Sequence, residues 1–207
     1  MAPAAGREVT SGCPRRGTPF SRGFARRLLG VFGWRIEGLL PDEPRFVVIV
    51  APHTSNWDFF ICIMAMFGVG LRLSWLGKHS IFFWPATPML RWLGGEAVDR
   101  REPLGVVEAA IARFTARPQW ALGLSPEGTR KFIPEWKTGF YRIAVGAGVP
   151  IVPVALDYHR HSLAIGSPMW PTGDLDADLA RLRAPFHKGM ALHPANYAEP
   201  PIAPQQP

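Results

Sequence analysis

Residues 46–58 read Phe46-Val47-Val48-Ile49-Val50-Ala51-Pro52-His53-Thr54-Ser55-Asn56-Trp57-Asp58. The first five are apolar and mostly β-branched, bounded by Pro44 and Pro52, the pattern of a buried strand. A histidine and an aspartate five residues apart cannot meet on a regular element. On a helix they point about 140° apart, and on a strand they face opposite sides, roughly 17 Å apart. They meet only if the chain turns between them, and Thr54, Ser55 and Asn56 are turn and N-cap residue types. The stretch therefore predicts a strand, a turn carrying His53, and a helix whose first turn carries Asp58. There the carboxylate accepts a hydrogen bond from Nδ1–H and leaves Nε2 as a base. By itself the spacing does not separate a catalytic pair from a structural one.

Outward from this stretch, strands alternate with helices. Residues 120–124 and 149–156 read as two further buried strands, and 103–116, 138–147 and 174–184 as helices. The prolines at 150 and 153 suit an edge strand or the start of a strand. Residues 59–71 are apolar for thirteen positions, short of the about 17–25 that a spanning helix needs, so this is a core helix or a segment half-sunk in an interface. Residues 81–92 are equally apolar but are broken by Pro85 and Pro88. The expected fold is a single α/β domain, a mixed, mostly parallel sheet flanked by helices, with an N-terminal amphipathic helix. Its division is 1–19 a disordered basic tail, 20–35 a membrane-facing helix, 36–190 the folded domain, and 191–207 a Pro-rich C-terminal tail.

The 207 residues suffice for one sizeable core. The formal charge of +7 is concentrated: residues 1–35 hold seven Arg against one acid, Glu8. Such an arm suits an anionic surface, phospholipid or nucleic acid, or is a solvated tail. On a helical wheel Phe20, Phe24, Leu28, Val31 and Trp34 fall in a stripe about 120° wide, with Arg22 and Arg26 opposite. That face fits a lipid interface and fits a core equally well. Nucleic acid is disfavoured, because Trp and Phe concentrate in apolar runs rather than among the basic residues. The two cysteines, Cys13 and Cys62, suggest no disulfide framework, which makes a reducing compartment the default. His79, His159, His161, His187 and His193 form no standard zinc spacing.

Three more segments stand beside the first: Gly94-Gly95-Glu96-Ala97-Val98-Asp99-Arg100, Ser125-Pro126-Glu127-Gly128-Thr129-Arg130 and Val149-Pro150-Ile151-Val152-Pro153-Val154. A Pro-Glu-Gly turn after a strand is expected to place Glu127 and Arg130 on an exposed rim, as a surface ion pair or as an anion clamp in which Arg130 binds phosphate. In this order the four blocks resemble the glycerolipid acyltransferase superfamily, the group containing lysophosphatidate (1-acyl-glycerol-3-phosphate) acyltransferase, over residues 46–157. Trp136-Lys137-Thr138-Gly139-Phe140-Tyr141 and residues 171–183 look like a compact bacterial branch of it. Glu96 and Ala97 stand where bulky apolar residues are usual, and Ser125 where many members have Phe.

The resemblance implies that His53 is the general base and Asp58 its orienting partner. It implies that Arg100, Glu127, Gly128, Thr129, Arg130 and Lys137 bind the acceptor phosphate, and that 149–154 helps form the acyl groove. It implies no metal and no cofactor beyond acyl-CoA or acyl-carrier protein as co-substrate. The expected partners are a lysolipid acceptor and a membrane phospholipid surface, met on the inner face of the cell membrane by a peripheral, cytoplasmic protein. Other readings of the same residues are transfer to another lipid acceptor such as an aminoacyl lipid, a hydrolase on the same dyad, and a non-catalytic lipid-binding module.

Overall fold

A computed structural model describes residues 12–98 and 103–199. Within it β2 (Arg45–Ala51), β5 (Trp120–Leu124) and β6 (Ile151–Asp157) are the three strands the apolar runs predict. They lie side by side at the centre of a seven-stranded sheet. Four others complete it: β1 (Arg35–Glu37), β3 (Leu73–Lys78), β4 (Gly95–Val98) and β7 (Ser162–Ile165). The order is β1-β7-β6-β2-β5-β3-β4, and β6 with β7 is the one antiparallel pair among the described strands. The mixed, mostly parallel α/β sheet of the sequence reading is therefore present.

Helices α1 (Pro19–Val31) and α2 (Trp57–Val69) cover one face. Helices α4 (Pro103–Ala116), α5 (Gly139–Ala147) and α6 (Leu175–Arg183) accompany the other, and the short α3 (Ala86–Trp92) precedes β4. Burial on both faces explains why β2 is apolar at every position from Phe46 to Ala51 rather than alternately. Phe46 and Val48 pack with Ile63, Met66 and Val69 of α2. Val47, Ile49 and Ala51 pack with Phe114 of α4 and Phe140 and Ile143 of α5.

Several boundaries differ from the sequence reading, each for a local reason. β6 is an interior strand, not an edge, despite Pro153. The Pro153 carbonyl accepts from Gly166 N–H at 2.8 Å, so the proline nitrogen faces the same side, one residue past the end of β7, and not the ladder with β2. Helix α1 stops at Val31, not 35. Its end is closed by Trp34 N–H to the Leu29 carbonyl, with Gly33 at φ 74°, a Schellman-type stop. Trp34 leaves the apolar stripe and is buried, edge-on to Tyr158 and stacked on His161. Ala25 and Leu29 of α1 are buried, and Arg26 Nε donates to the Gly68 carbonyl of α2 at 2.7 Å. Phe20, Phe24, Val31 and Phe32 remain exposed. The helix thus packs on α2 with one face and presents an apolar face outward with the other.

Residues 12–18, expected as tail, are also placed. Cys13 is buried, Arg15 bridges to Leu71, and Thr18 caps α1 in a capping box with Ser21. The part of the expected C-terminal tail that is described, 191–199, folds back, burying Ala191 and Tyr197. The expected tail residues 1–11 and 200–207 lie outside the described residues. No helix among the described residues is long and apolar enough to cross a membrane.

One buried carboxylate ties α6 to α5. Asp178 accepts from Thr172 N–H at 2.6 Å, Thr172 Oγ1–H at 3.0 Å and Tyr141 O–H at 2.8 Å, and pairs with Arg181. Burial works to raise its pKa, but these donors overcome it and hold it at about 2. A carboxyl depressed in the folded state contributes stability above its unfolded value near 4, lost as pH falls toward 2. The Asp178→Asn protein should unfold on the order of 2–3 kcal/mol more easily at pH 7. That gap should close between about pH 4 and pH 2 in chemical denaturation of both proteins; a gap independent of pH would contradict the assignment.

Candidate active site

The chemistry-bearing residues collect at the C-terminal ends of the parallel strands, where such sheets open a crevice. His53 follows the end of β2, and Asp58 is the second residue of α2. The turn between them is held from within. Ser55 N–H donates to Asp58 Oδ2 at 2.8 Å, and Trp57 N–H to Ser55 Oγ at 3.1 Å. His53 Nδ1 lies 3.0 Å from Asp58 Oδ2. The sequence-predicted pair therefore meets, with Nε2 left uncommitted by Asp58. Asp58 is 0% exposed and the His53 side chain 23%, so the acid is shielded while the imidazole reaches solvent.

Tyr158, which sequence reasoning missed, donates its hydroxyl to the other oxygen of Asp58 at 2.6 Å. Burial, with the bond to Asp58 and its charge, pushes the phenol up, so it stays a donor. It follows β6 directly and reaches Asp58 because β6 pairs with β2, an adjacency the sequence does not carry. Cys62 is one turn along α2 from Asp58. Burial, then the Asp58 charge, raises its thiol to about 12, so it holds no thiolate at neutral pH.

Glu127 does not stand on the rim that the Pro-Glu-Gly turn suggested. It is 3% exposed, and both carboxylate oxygens lie 3.0 Å from the backbone nitrogen of His53. It grips the β2–α2 turn from β5, because the turn at Ser125–Gly128 (Gly128 N–H to the Ser125 carbonyl, 3.0 Å) aims its side chain inward. Burial raises its pKa to about 7; the His53 N–H and the imidazole oppose that, and the Asp58 carboxylate adds to it.

Gly128, at φ 65°, leaves room for Lys137: a Cβ there would sit 3.0 Å from Lys137 Cδ and 3.2 Å from Nζ. Lys137 N–H also donates to the Pro126 carbonyl at 2.8 Å. Lys137 is thereby brought to the Glu127 turn. Thr129 and the exposed Arg130 lie on the same loop, with Thr129 Oγ1 accepting from Lys131 N–H at 3.3 Å. Arg100 lies outside the described residues. Residues 191–199 add an unforeseen contact: His193 N–H donates to the buried Thr54 Oγ1 at 3.2 Å. The C-terminal segment thus braces the His53 turn.

The Glu127 carboxyl has a testable consequence. An acid raised from its unfolded value near 4.5 to about 7 holds its proton longer when folded. Its contribution to stability therefore falls as pH rises from about 4.5 to about 7, then levels. Glu127→Gln keeps an acceptor for the His53 N–H and does not titrate. Relative to the unsubstituted protein, it should gain on the order of 2–3 kcal/mol between pH 5 and pH 8 in denaturant titrations. A difference that stays constant across this range would refute the assigned titration.

The sequence profile of the family described as Acyltransferase matches residues 37–157, which run from the end of β1 to the end of β6. The 1-acyl-sn-glycerol-3-phosphate acyltransferase of Haemophilus influenzae is 25% identical over 162 residues, covering 74% of this chain and 65% of that protein. The protein of the same description from Escherichia coli is 28% identical over 153 residues, covering 69% of this chain and 60% of that one. The chain thus spans somewhat under two thirds of the length of these relatives. The crystal structure of the 1-acyl-sn-glycerophosphate acyltransferase of Thermotoga maritima shares the fold. Its TM-score is 0.57 at 22% identity, over 78% of this chain and 73% of that one. With more than half of its length matched, and the His53–Asp58 turn and the Glu127 turn both inside the match, the chain belongs to the acyltransferase family.

Proposed function

We propose that this protein transfers a fatty acyl group from an acyl thioester, acyl-CoA or acyl-carrier protein, to the hydroxyl of a lysophospholipid. Lysophosphatidate, giving phosphatidate, is the acceptor that the relatives' description favours. The observation that carries the reading is the His53 Nδ1 to Asp58 Oδ2 contact at 3.0 Å, with Asp58 wholly buried. It fixes the imidazole with Nε2 available to a substrate. His53 Nε2 takes the proton of the acceptor hydroxyl as its oxygen attacks the thioester carbonyl. The tetrahedral intermediate collapses, the C–S bond breaks, and the proton passes from the imidazolium to the departing thiolate, leaving ester and thiol. No protein nucleophile is needed, which agrees with the raised Cys62 thiol.

Arg130 and Lys137, on and beside the Gly128 turn, hold the acceptor phosphate, with Thr129 shaping the loop and Arg100 contributing from the chain after β4. Glu127 acts on the other side of that turn by fixing the His53 backbone. The exposed apolar face of α1 rests on an anionic bilayer, so the enzyme works as a peripheral protein at the membrane surface where its acceptor resides.

The test is purified protein with acyl-CoA or acyl-carrier protein and a panel of lysolipids, with products read by mass spectrometry. The expected product is diacylated lipid, formed from lysophosphatidate fastest. His53→Ala should slow it about 100- to 10,000-fold with an unchanged melting temperature. Arg130→Ala should raise the KM for the acceptor more than that for the donor. Fatty acid released at the same rate with or without lysolipid would establish hydrolysis instead, and near-normal turnover by His53→Ala would end the proposed mechanism.

A further inference from the structure

A second basic site lies away from the dyad. A cavity of about 720 Å³ opens where β3, β4 and β5 begin, bounded by Leu73, Ser74, Gly95 and Trp120. His53 and Glu127 sit beyond the opposite ends of the strands. A five-residue strand separates such ends by roughly 17 Å, so the cavity is not part of the candidate active site. Among the described residues its lining carries Arg15, Arg16, Arg72, Arg91 and Arg117 with one carboxylate, Glu96. Glu96 is already shared, 2.9 Å from Arg113 and 3.3 Å from Arg117. Arg16 is fixed between two rings, its guanidinium 4.5 Å from the Phe67 centroid and 4.6 Å from that of Trp92, and it donates to the Trp92 carbonyl. Burial and the nearby Arg72 charge lower the Arg16 pKa, as expected where cations stand close together.

One aromatic ring of the lining faces outward: Trp92 is 64% exposed. Helix α1 starts at the same end of the molecule: Arg16 N–H donates to the Gly70 carbonyl at the end of α2, and α1 begins three residues later. From there its exposed side chains run from Phe20 to Phe32, about 20 Å along the helix. At the far end, Trp34 touches Tyr158, the partner of Asp58. Guanidinium groups take phosphate oxygens in pairs, and aromatic residues settle at the headgroup level of a bilayer.

We propose that the arginine cavity between the starts of β3 and β5 binds the headgroup phosphate of an anionic membrane phospholipid, pinning the N-terminal end of α1 so that the helix lies flat with the His53 turn beside the bilayer. The proposal rests on the reading of α1 as membrane-facing and is independent of the acyl-transfer chemistry. A soluble phosphate compound carries the same chemistry; the exposed ring of Trp92 at the cavity favours the lipid.

The test uses the full chain and co-sedimentation with vesicles of phosphatidylcholine, alone or mixed with phosphatidylglycerol. Arg72→Gln with Arg91→Gln removes two cavity charges. Arg142→Gln with Lys188→Gln removes two exposed charges on and beyond α5, away from α1, as a charge-matched control. The cavity variant should lose about tenfold in affinity for the phosphatidylglycerol vesicles and the control less than threefold. Binding to phosphatidylcholine alone, melting temperature, and turnover of a short-chain soluble acceptor should be unchanged in both. Equal losses in the two variants would reduce the effect to diffuse charge and overturn the site, as would no loss in either. Inorganic pyrophosphate is the soluble arm: calorimetric binding that needs Arg72 and Arg91, with vesicle affinity unaffected, would assign the cavity to a soluble phosphate and overturn the lipid assignment. An unsubstituted chain that binds neither vesicle would sink the membrane reading of α1 itself. One that binds both compositions equally would sink only the headgroup site.

Discussion

A carboxylate with no exposed surface has to be satisfied on both oxygens, and Asp58 is satisfied by three groups from two places in the chain. Ser55 N–H and His53 Nδ1 reach Oδ2 from the turn after β2, and the Tyr158 hydroxyl reaches Oδ1 from the end of β6. Leaving any of these donors out would bury an underpaired charge, which costs far more than a single hydrogen bond yields. The turn geometry, the adjacency of β2 and β6, and the orientation of the imidazole are therefore coupled through one side chain. Glu127 adds the third central strand to this arrangement by holding the His53 backbone from the end of β5. The site is thus a property of the sheet order β6-β2-β5, not of one loop.

That order also explains the distribution of polarity. The three central strands are buried on both faces, and the polar groups they position emerge only at their C-terminal ends, where His53, Glu127 and Tyr158 follow directly. Helices α1 and α2 close one face. Because α2 starts at Trp57 and runs back along the sheet to its cap at Gly70, its partner α1 spans from the arginine cavity at one end to Trp34 and Tyr158 at the other. A membrane-facing helix and the dyad are in this way linked through one aromatic contact.

The parts legible in the sequence were those set by strong local pattern. The β2, β5 and β6 runs stand out because strands buried twice are continuously apolar, and the His53–Asp58 turn because no regular element could join the two. The short outer strands β1, β4 and β7, and β3 beside β4, were not legible; half-buried and only three to six residues long, they carry little periodicity. The inward aim of Glu127 depends on the His53 backbone, 74 residues away in the chain, and Tyr158 is invisible until β6 lies next to β2. Proline at 153 pointed to an edge, and only the length of β7 shows why an interior strand tolerates it. Arg16 read as part of a solvated tail, because the rings of Phe67 and Trp92 that hold it are brought together by packing alone.

The central claim is that Asp58 holds His53 with its proton on Nδ1 and leaves Nε2 as the base. Nitrogen-15 NMR of the protein labelled at histidine, at a pH where the imidazole is neutral, reads that tautomer directly, with His53→Ala identifying the signal. The account predicts the Nδ1–H form for His53, lost in Asp58→Asn. A neutral His53 carrying its proton on Nε2 in the unsubstituted protein would contradict it.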